Sequence, residues 1–528
     1  MQFTDLSAEL LSLIVSCLKQ TPDRGRLASY TTICAGFRDA IEAETFSDLS
    51  ITSDELQTLD AFMERRPQRR AILGFLRLSV VLPTYSDQAC GWYERKPDQD
   101  RNDESFTESM RKLFRVLSKC DRMTNARPID ISLERIYSPM DPPHRGQEKR
   151  KADQFAYELG QRRDLFEHRY EHSYVQLLAE HDLPEIRRVL SLAVLKSGGS
   201  RNLDSAIGPT LGGLLPNLES INLYFNDEER KYPRRRHLLR KGLCEAIQHW
   251  RPSRVTKLHL ALRHSPPSNE DFRNSDMRDD AGSDQLSRCL GQFIQASNLV
   301  DVKLHGPICI GLDLFCASEG AGKRWLNLQT FHVNVSSVRP DGGWYLVRDP
   351  EPPTNQDESS DDGEDEAEHV PDHWRSPTPS SSSSSSFASD ESFFEELESH
   401  RPPDTFRPKL HALQIGEEPC KTFRTYPTPE AEALLEAATR MIANSKTLKT
   451  FQIDIWAESC RRTDYKKKSF GFTFARKATS HFLDEREEDA ERNRVWWEAP
   501  RNWTMNEKWK ESWSEILGEG ETIRWTEW

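Results

Sequence analysis

Leu218-Glu219-Ser220-Ile221-Asn222-Leu223-Tyr224-Phe225-Asn226 is the stretch on which the fold turns. Its apolar residues stand at Leu218, Ile221, Leu223 and Phe225, an apolar-x-x-apolar-x-apolar motif that runs on in strict alternation, the period-two mark of a strand with one buried face. The motif returns at Leu73, Leu76, Leu78; at Val189, Leu192, Val194; at Val255, Leu258, Leu260; and at Leu299, Val302, Leu304. It returns again at Leu328, Phe331, Val333; at Leu410, Leu413, Ile415; and at Leu448, Phe451, Ile453, with a weaker copy at Ala126, Ile129, Ile131. Helical stretches separate the copies, among them Leu243 to Trp250, Leu286 to Ala296 and Ala431 to Asn444.

Strand and helix alternating on such a motif resembles the leucine-rich repeat, in which each unit is too small to bury its own apolar face and stacks on its neighbours. Asn226 stands where that repeat carries its ladder asparagine, and the other copies lack it. Spacing is irregular, 29 residues from Leu299 to Leu328 but 82 from Leu328 to Leu410. The resemblance implies an α/β (α+β) chain whose residues 52–349 and 406–460 form an irregular, leucine-rich-repeat-like solenoid. A plain α/β domain whose buried strands share a pattern is the other reading.

The 528 residues suffice for two to four ordinary domains, or for a small module and a long repeat array. The net charge of -13 is local. Residues 351–400 hold 15 acidic side chains against one arginine, so the rest of the chain sums to about +1. With the serine run Ser380 to Ser386, this composition predicts a disordered acidic insertion over 350–405. Ser376-Pro377 and Thr378-Pro379 suit proline-directed kinases, and Ser359 and Ser392, each followed three residues later by an acid, suit acid-directed ones. A loop without regulatory role fits the same composition.

The last segment, 461–528, is rich in tryptophan. Seven of the 13 tryptophans follow residue 495, and Trp509, Trp513, Ile516 and Leu517 share a helix face that Thr504 and Glu507 would cap as a capping box and Gly518 would stop. Phe470, Phe472 and Phe474, with Ile523 and Trp525, complete an expected C-terminal cap on the repeats. Core patterning of this kind outweighs base stacking, so no nucleic-acid partner is expected.

Catalytic and metal signals are thin. His168-Arg169-Tyr170-Glu171-His172 matches the inverted zinc-hydrolase motif, but on a helix expected over 151–180 the apolar face is Phe155, Leu159, Phe166, Tyr170, Tyr174 and Leu177, which turns both histidines to solvent. Gly322-Lys323 lacks a phosphate loop's other residues, with Ala317 for its first glycine and Arg324 for its hydroxyl. Ten scattered cysteines without Cys-x-x-Cys give neither a disulfide framework nor a zinc ribbon, and Cys309 and Cys316 read as packing thiols. The expectation is no catalytic residue, no metal and no cofactor. The basic run Arg230 to Arg236, extended by Arg240 and Lys241, reads as a solvated loop and helix face, or else as an import signal or a contact for an acidic partner. No apolar run approaches the roughly 18 residues of a membrane helix, and Asp5 and Glu9 stand where a signal peptide would be basic and then apolar. A cytoplasmic or nuclear address, with no membrane partner, is therefore expected.

The first fifty residues pair two apolar helix patterns, Leu10, Leu11, Ile14, Val15, Leu18 and Leu27, Tyr30, Ile33, Phe37, Ile41. Apolar residues extend around more of each helix than one core face would use, so a surplus is left for a partner. Leu6, Glu9, Leu10, Ile14 and Leu18, then Leu27-Ala28-Ser29-Tyr30, Ile33-Cys34, Phe37-Arg38 and Thr45-Phe46, resemble the F-box, in the form found in filamentous-fungal proteins that carry degenerate leucine-rich repeats and a tryptophan-rich end. Ser7 stands in the usual proline position and can serve as an N-cap. The resemblance implies a three-helix module over 1–51 that binds a Skp-family adaptor through Leu6, Glu9, Leu10, Ile14, Leu18, Leu27, Tyr30, Ile33 and Phe37. It further implies a substrate receptor that presents a target protein to a cullin-RING ubiquitin ligase and does no covalent chemistry. A scaffold that binds the adaptor without cullin, or that keeps the module only as packing, is the alternative.

Overall fold

The computed structural model describes residues 6–19, 27–91, 93–124, 126–141, 144–146, 149–151, 169–170, 172–178, 182–195, 201–230, 232–316, 325–350, 413, 416–421, 423–457, 468–477, 479, 491–518 and 522–527. The acidic insertion with Ser359, Ser376, Thr378 and Ser392, the Gly322-Lys323 segment, and the motif copy at Leu410 apart from Leu413 lie outside these residues.

Helices α1 (Ala8–Lys19), α2 (Leu27–Tyr30) and α3 (Ala35–Ser47) lead into β1 (Asp48–Thr52), followed by α4 (Leu56–Arg65), α5 (Gln68–Ile72), β2 (Phe75–Val81), α6 (Lys96–Asp121), β3 (Ile129–Tyr137) and β4 (Tyr174–Val175). Next come β5 (Val189–Val194), β6 (Asn202–Leu203), α7 (Ile207–Gly213), β7 (Ser220–Asn226), α8 (Pro233–His249), β8 (Lys257–Arg263), α9 (Gln285–Ala296), β9 (Asp301–Ile308) and β10 (Thr330–Val335). The chain closes with β11 (Leu346–Arg348), β12 (Arg424–Pro427), α10 (Pro429–Asn444), β13 (Thr450–Ala457), β14 (Lys468–Ala475), β15 (Arg494–Ala499), α11 (Glu507–Leu517) and β16 (Thr522–Glu527).

Twelve strands form one sheet in the order β1-β2-β3-β5-β7-β8-β9-β10-β13-β14-β15-β16, which is chain order. From β1 to β13 every pairing is parallel, β14 alone is reversed, and β16 is again parallel to β15. The fold is thus mixed α/β on a large, mostly parallel sheet. Parallel neighbours require crossovers, and helices such as α6, α8 and α10 supply them.

The strand motif sets the register. Its two strand positions align into unbroken ladders across all twelve strands. One runs Leu49, Leu76, Ile131, Leu192, Ile221, Leu258, Val302, Phe331, Phe451, Phe474, Val495, Ile523. The other runs Ile51, Leu78, Leu133, Val194, Leu223, Leu260, Leu304, Val333, Ile453, Phe472, Trp497, Trp525. The leading positions Leu73, Val189, Leu218, Val255, Leu299, Leu328 and Leu448 are buried beside them. A one-residue slip in any strand would turn its whole apolar set outward, so each pairing specifies the next. The weaker copy is displaced from its expected place: Ile129 pairs with Val189 in the leading position, Ile131 and Leu133 take the ladder positions, and a register shift after Ile129 absorbs the difference.

Buried faces of α4, α6, α8, α9, α10 and α11 join these ladders in one continuous core. At its C-terminal end Trp497 lies against Trp503, Trp509, Trp513 and Phe472, so the tryptophan cap is core and β14 to β16 extend the sheet itself. Its helix starts differently from the expectation. Asn506, not Thr504, is the N-cap of α11, its side chain accepting from the Trp509 amide at 2.9 Å, and Gly518 at φ 77° ends the helix in a conformation that suits glycine. Among the described residues no helix is long and apolar enough to cross a membrane.

Candidate interaction surfaces

The N-terminal helices have a small core of their own, Leu11 and Val15 of α1 against Phe37 and Ile41 of α3. Ser7 caps α1, its Oγ accepting from the Leu10 amide at 3.4 Å, and Cys34 caps α3, its Sγ accepting from the Phe37 amide at 3.4 Å. The module runs into the sheet without a linker, because α3 ends at Ser47 and β1 starts at Asp48; the expected boundary after residue 51 falls inside β1. Glu42 of α3 ties the two together through Arg66 (3.0 Å) and Arg69 (2.6 Å), which hold its carboxyl below the usual range.

Four large apolar side chains of this module face solvent, Leu10 at 49% exposure, Leu13 at 62%, Tyr30 at 37% and Ile33 at 44%. On α1 the exposed set lies at i, i+3, i+4 and i+7 (Leu10, Leu13, half-buried Ile14, Cys17), centred roughly 120° around the helix from Leu11, Val15 and Leu18. Among the other expected docking residues, Glu9 is exposed, and Leu6, Leu18 and Leu27 are half-buried against the small core. Phe37 is buried within that core and is no part of the surface set. Leu13 was not among the expected residues, although its helical spacing to Leu10, Ile14 and Cys17 carried the signal.

The second surface is the sheet face opposite the apolar ladders. Its central row runs Ser50, Arg77, Ser132, Ala193, Asn222, His259, Lys303, His332, Gln452, Thr473, Trp496, Arg524, polar at nearly every strand. Arg77 bridges Asp48 (2.5 Å) and Glu134 (3.2 Å), and His259 meets Asp301 at 3.3 Å. Near the C-terminal end Asp454 accepts from Gln452 (2.6 Å) and Asn334 (3.3 Å). Gly471 separates Asp454 from Glu498 in the register, and an added Cβ there would come within 2.0 Å of the Ile453 carbonyl, so no side chain screens the two carboxylates. Burial, with Glu498 adding, pushes the Asp454 carboxyl up to about 7 against the Gln452 hydrogen bond.

A third group of polar residues is buried past the C-terminal ends of the first strands. Glu94 accepts from Asn102 (3.0 Å) and Ser173 and faces Arg169 (3.9 Å) and Arg201. Tyr85 (2.9 Å) and Tyr170 donate to Asp141. The adjoining cavity, about 30 Å³, is the size of one water, so these charges serve one another rather than a ligand. This group overturns the reading of His168 to His172. Residues 169–170 form a turn and Tyr174–Val175 a strand, not the continuation of a helix, and His172 is buried between Tyr93 and Tyr232 with Nδ1 2.7 Å from Glu229. His168 and Glu171 lie outside the described residues. Among the described residues no three His, Cys, Asp or Glu side chains converge as metal ligands.

The basic run is also not the solvated face expected of it. Arg236 and Arg240 are buried, Arg236 forking onto Asp227 at 2.9 and 2.6 Å, while Arg230 binds Glu417 (2.5 Å) and the Ser265 carbonyl (2.7 Å). Cys309 is buried, but Cys316 is exposed. No protein-family model and no curated protein matches the chain.

Proposed function

We propose that the protein is a non-catalytic substrate receptor whose N-terminal F-box-like helices dock on a Skp-family adaptor of a cullin-RING ubiquitin ligase. The observation that carries this reading is the apolar surplus: a module with a four-residue core presents Leu10, Leu13, Tyr30 and Ile33 to solvent. Sheltering that set requires a partner groove. We read the parallel strands in chain order as an irregular leucine-rich-repeat-like solenoid, whose polar sheet face would hold the target protein. Catalysis would come from effective concentration, with target and charged conjugating enzyme held in one assembly. Acidic phosphorylation sites at Ser359, Ser376, Thr378 and Ser392 would be regulatory, and the protein would act in the cytoplasm or nucleus.

Affinity purification of the full chain from cells tests the reading. Adaptor together with cullin supports it, adaptor alone turns the protein into a scaffold, and neither removes both.

A further inference from the structure

Helices α8 and α9 lie beside each other, and between them and residues 277–284 opens a cleft of about 150 Å³. Its wall carries four cations, Arg234, Arg240, Lys241 and Arg278, against two carboxylates, Asp279 and Asp284. Both carboxylates are committed elsewhere. Asp284 is the N-cap of α9 and accepts from the Ser287 amide (3.3 Å) and hydroxyl, and Asp279 accepts from the Ala281 (3.1 Å) and Ser283 (2.9 Å) amides.

Arg240 is the floor of the cleft and only 6% exposed. Its Nη2 donates to the Cys309 carbonyl. Its Nε lies 3.9 Å from Asp227 and its Nη1 4.0 Å from Asp284, too far for hydrogen bonds, and neither nitrogen has a hydrogen-bond partner. Asp227 is already occupied by the fork from Arg236. A buried guanidinium with two unused N–H directions costs free energy until an acceptor arrives. The cleft has room for more than the one water of about 30 Å³ that would meet one of them. Arg234 and Lys241 are seven residues apart on α8, two turns along one face, and so stand at the same rim.

We propose that this cleft binds a tetrahedral oxyanion of the phosphate class, with Arg240 as the buried donor and Arg234 and Lys241 closing over it. Guanidinium presents paired donors that match two oxygens of such an anion, and lysine adds a point charge. The ligand is either free phosphate or a phosphoryl group on a side chain. Because β2, β3 and β5 separate β1 from β7, the site stands whether or not the N-terminal module docks an adaptor.

Isothermal titration of the full chain tests this, with inorganic phosphate in one arm and O-phosphoserine in the other, at an ionic strength held constant with sodium chloride. The expected result is saturable one-to-one binding, weakened about tenfold or more in the rim variant Arg234→Gln with Lys241→Met, and abolished in Arg240→Met. Should Arg240→Met fail to fold, the rim variant decides. Binding of phosphate alone identifies a free-anion site, and tighter binding of O-phosphoserine identifies a phosphorylated side chain as the ligand. Absence of saturable binding of both ligands up to about 20 mM, or unchanged binding in the rim variant, overturns the proposal.

Discussion

Replacing Leu10 and Leu13 together by aspartate separates docking from folding. Both side chains are half exposed or more, so the free protein loses little, within about 0.5 kcal/mol for each site. In a complex the remaining half of each leucine would be covered. Full burial of a leucine is worth about 1.5 to 3 kcal/mol, so covering the exposed half gives about 1 to 1.5 kcal/mol each and about 2 to 3 kcal/mol for the pair. At 1.4 kcal/mol per decade this is roughly a 30- to 150-fold loss of adaptor affinity, before any desolvation of the new carboxylates. Surface plasmon resonance against purified Skp-family adaptor reads the affinity, and circular dichroism melting reads the fold. Leu11→Asp is the contrast, because Leu11 belongs to the small core with Val15, Phe37 and Ile41, and a charge there should unfold the module while the separate main core stays intact. The reasoning fails if the double variant binds within about threefold of the parent, or if it melts as Leu11→Asp does.

Two further substitutions probe the C-terminal end of the sheet. Trp497→Ala should cost about 3 to 5 kcal/mol in urea unfolding, because Trp497 is fully buried among four aromatic neighbours and its Nε1 has no hydrogen bond to lose. A loss below about 1 kcal/mol would show that the tryptophans are not core. Asp454→Asn should stabilise the protein, and more so as pH rises. With the carboxyl pushed from its ordinary 3.8 up to about 7, the folded chain holds a proton that the unfolded chain releases, so stability present below pH 4 is lost progressively between pH 4 and pH 7. The variant escapes that loss, gaining up to about 4 kcal/mol at pH 8 and about half as much or less at pH 5. Denaturation curves at the two pH values giving the same difference would refute the assignment.

Much of the fold was legible because one side-chain choice repeats at each strand. Ile221 and Leu223 could be matched to Leu258 and Leu260 from sequence alone, and parallel pairing in register follows from that match. Strand β1 was hidden, since Leu49 and Ile51 read as the tail of the helical module, although they begin both ladders. The docking surface was legible as a surplus but not as a list. Sequence cannot say which of two overlapping stripes on α1 meets α3, and only the packing of Leu11 and Val15 on Phe37 frees Leu10 and Leu13. His172 and the arginines of α8 were misread for one reason, that their partners are distant in the chain: Glu229 is 57 residues from His172, and the carbonyl of Cys309 is 69 from Arg240. A charge is assigned to solvent by default when no partner lies nearby in sequence.

A local rule nevertheless connects those arginines to the strand motif. In β7 the inward residues alternate as Ile221, Leu223 and Phe225, and the next position of that parity is Asp227; in β8 they are Leu258, Leu260 and Leu262, and the next is His264. Both are buried, and the ladder continues past the strands to hold them, the Asp227 amide donating to the Arg263 carbonyl at 2.7 Å and the His264 amide to the Pro307 carbonyl at 3.0 Å. His264 meets Ser336, which follows β10 directly, at 2.9 Å, and burial with arginines around it keeps the imidazole neutral. A carboxylate at a core-facing position demands a cation from whatever packs above it. Helix α8 begins six residues later, and Arg236 and Arg240, one turn apart, answer that demand. The same four-residue step leaves Arg234 and Lys241 off that face. The inward parity of Asp227 therefore divides one basic run into two sets, a neutralised pair under the helix and a surplus at the rim of the cleft.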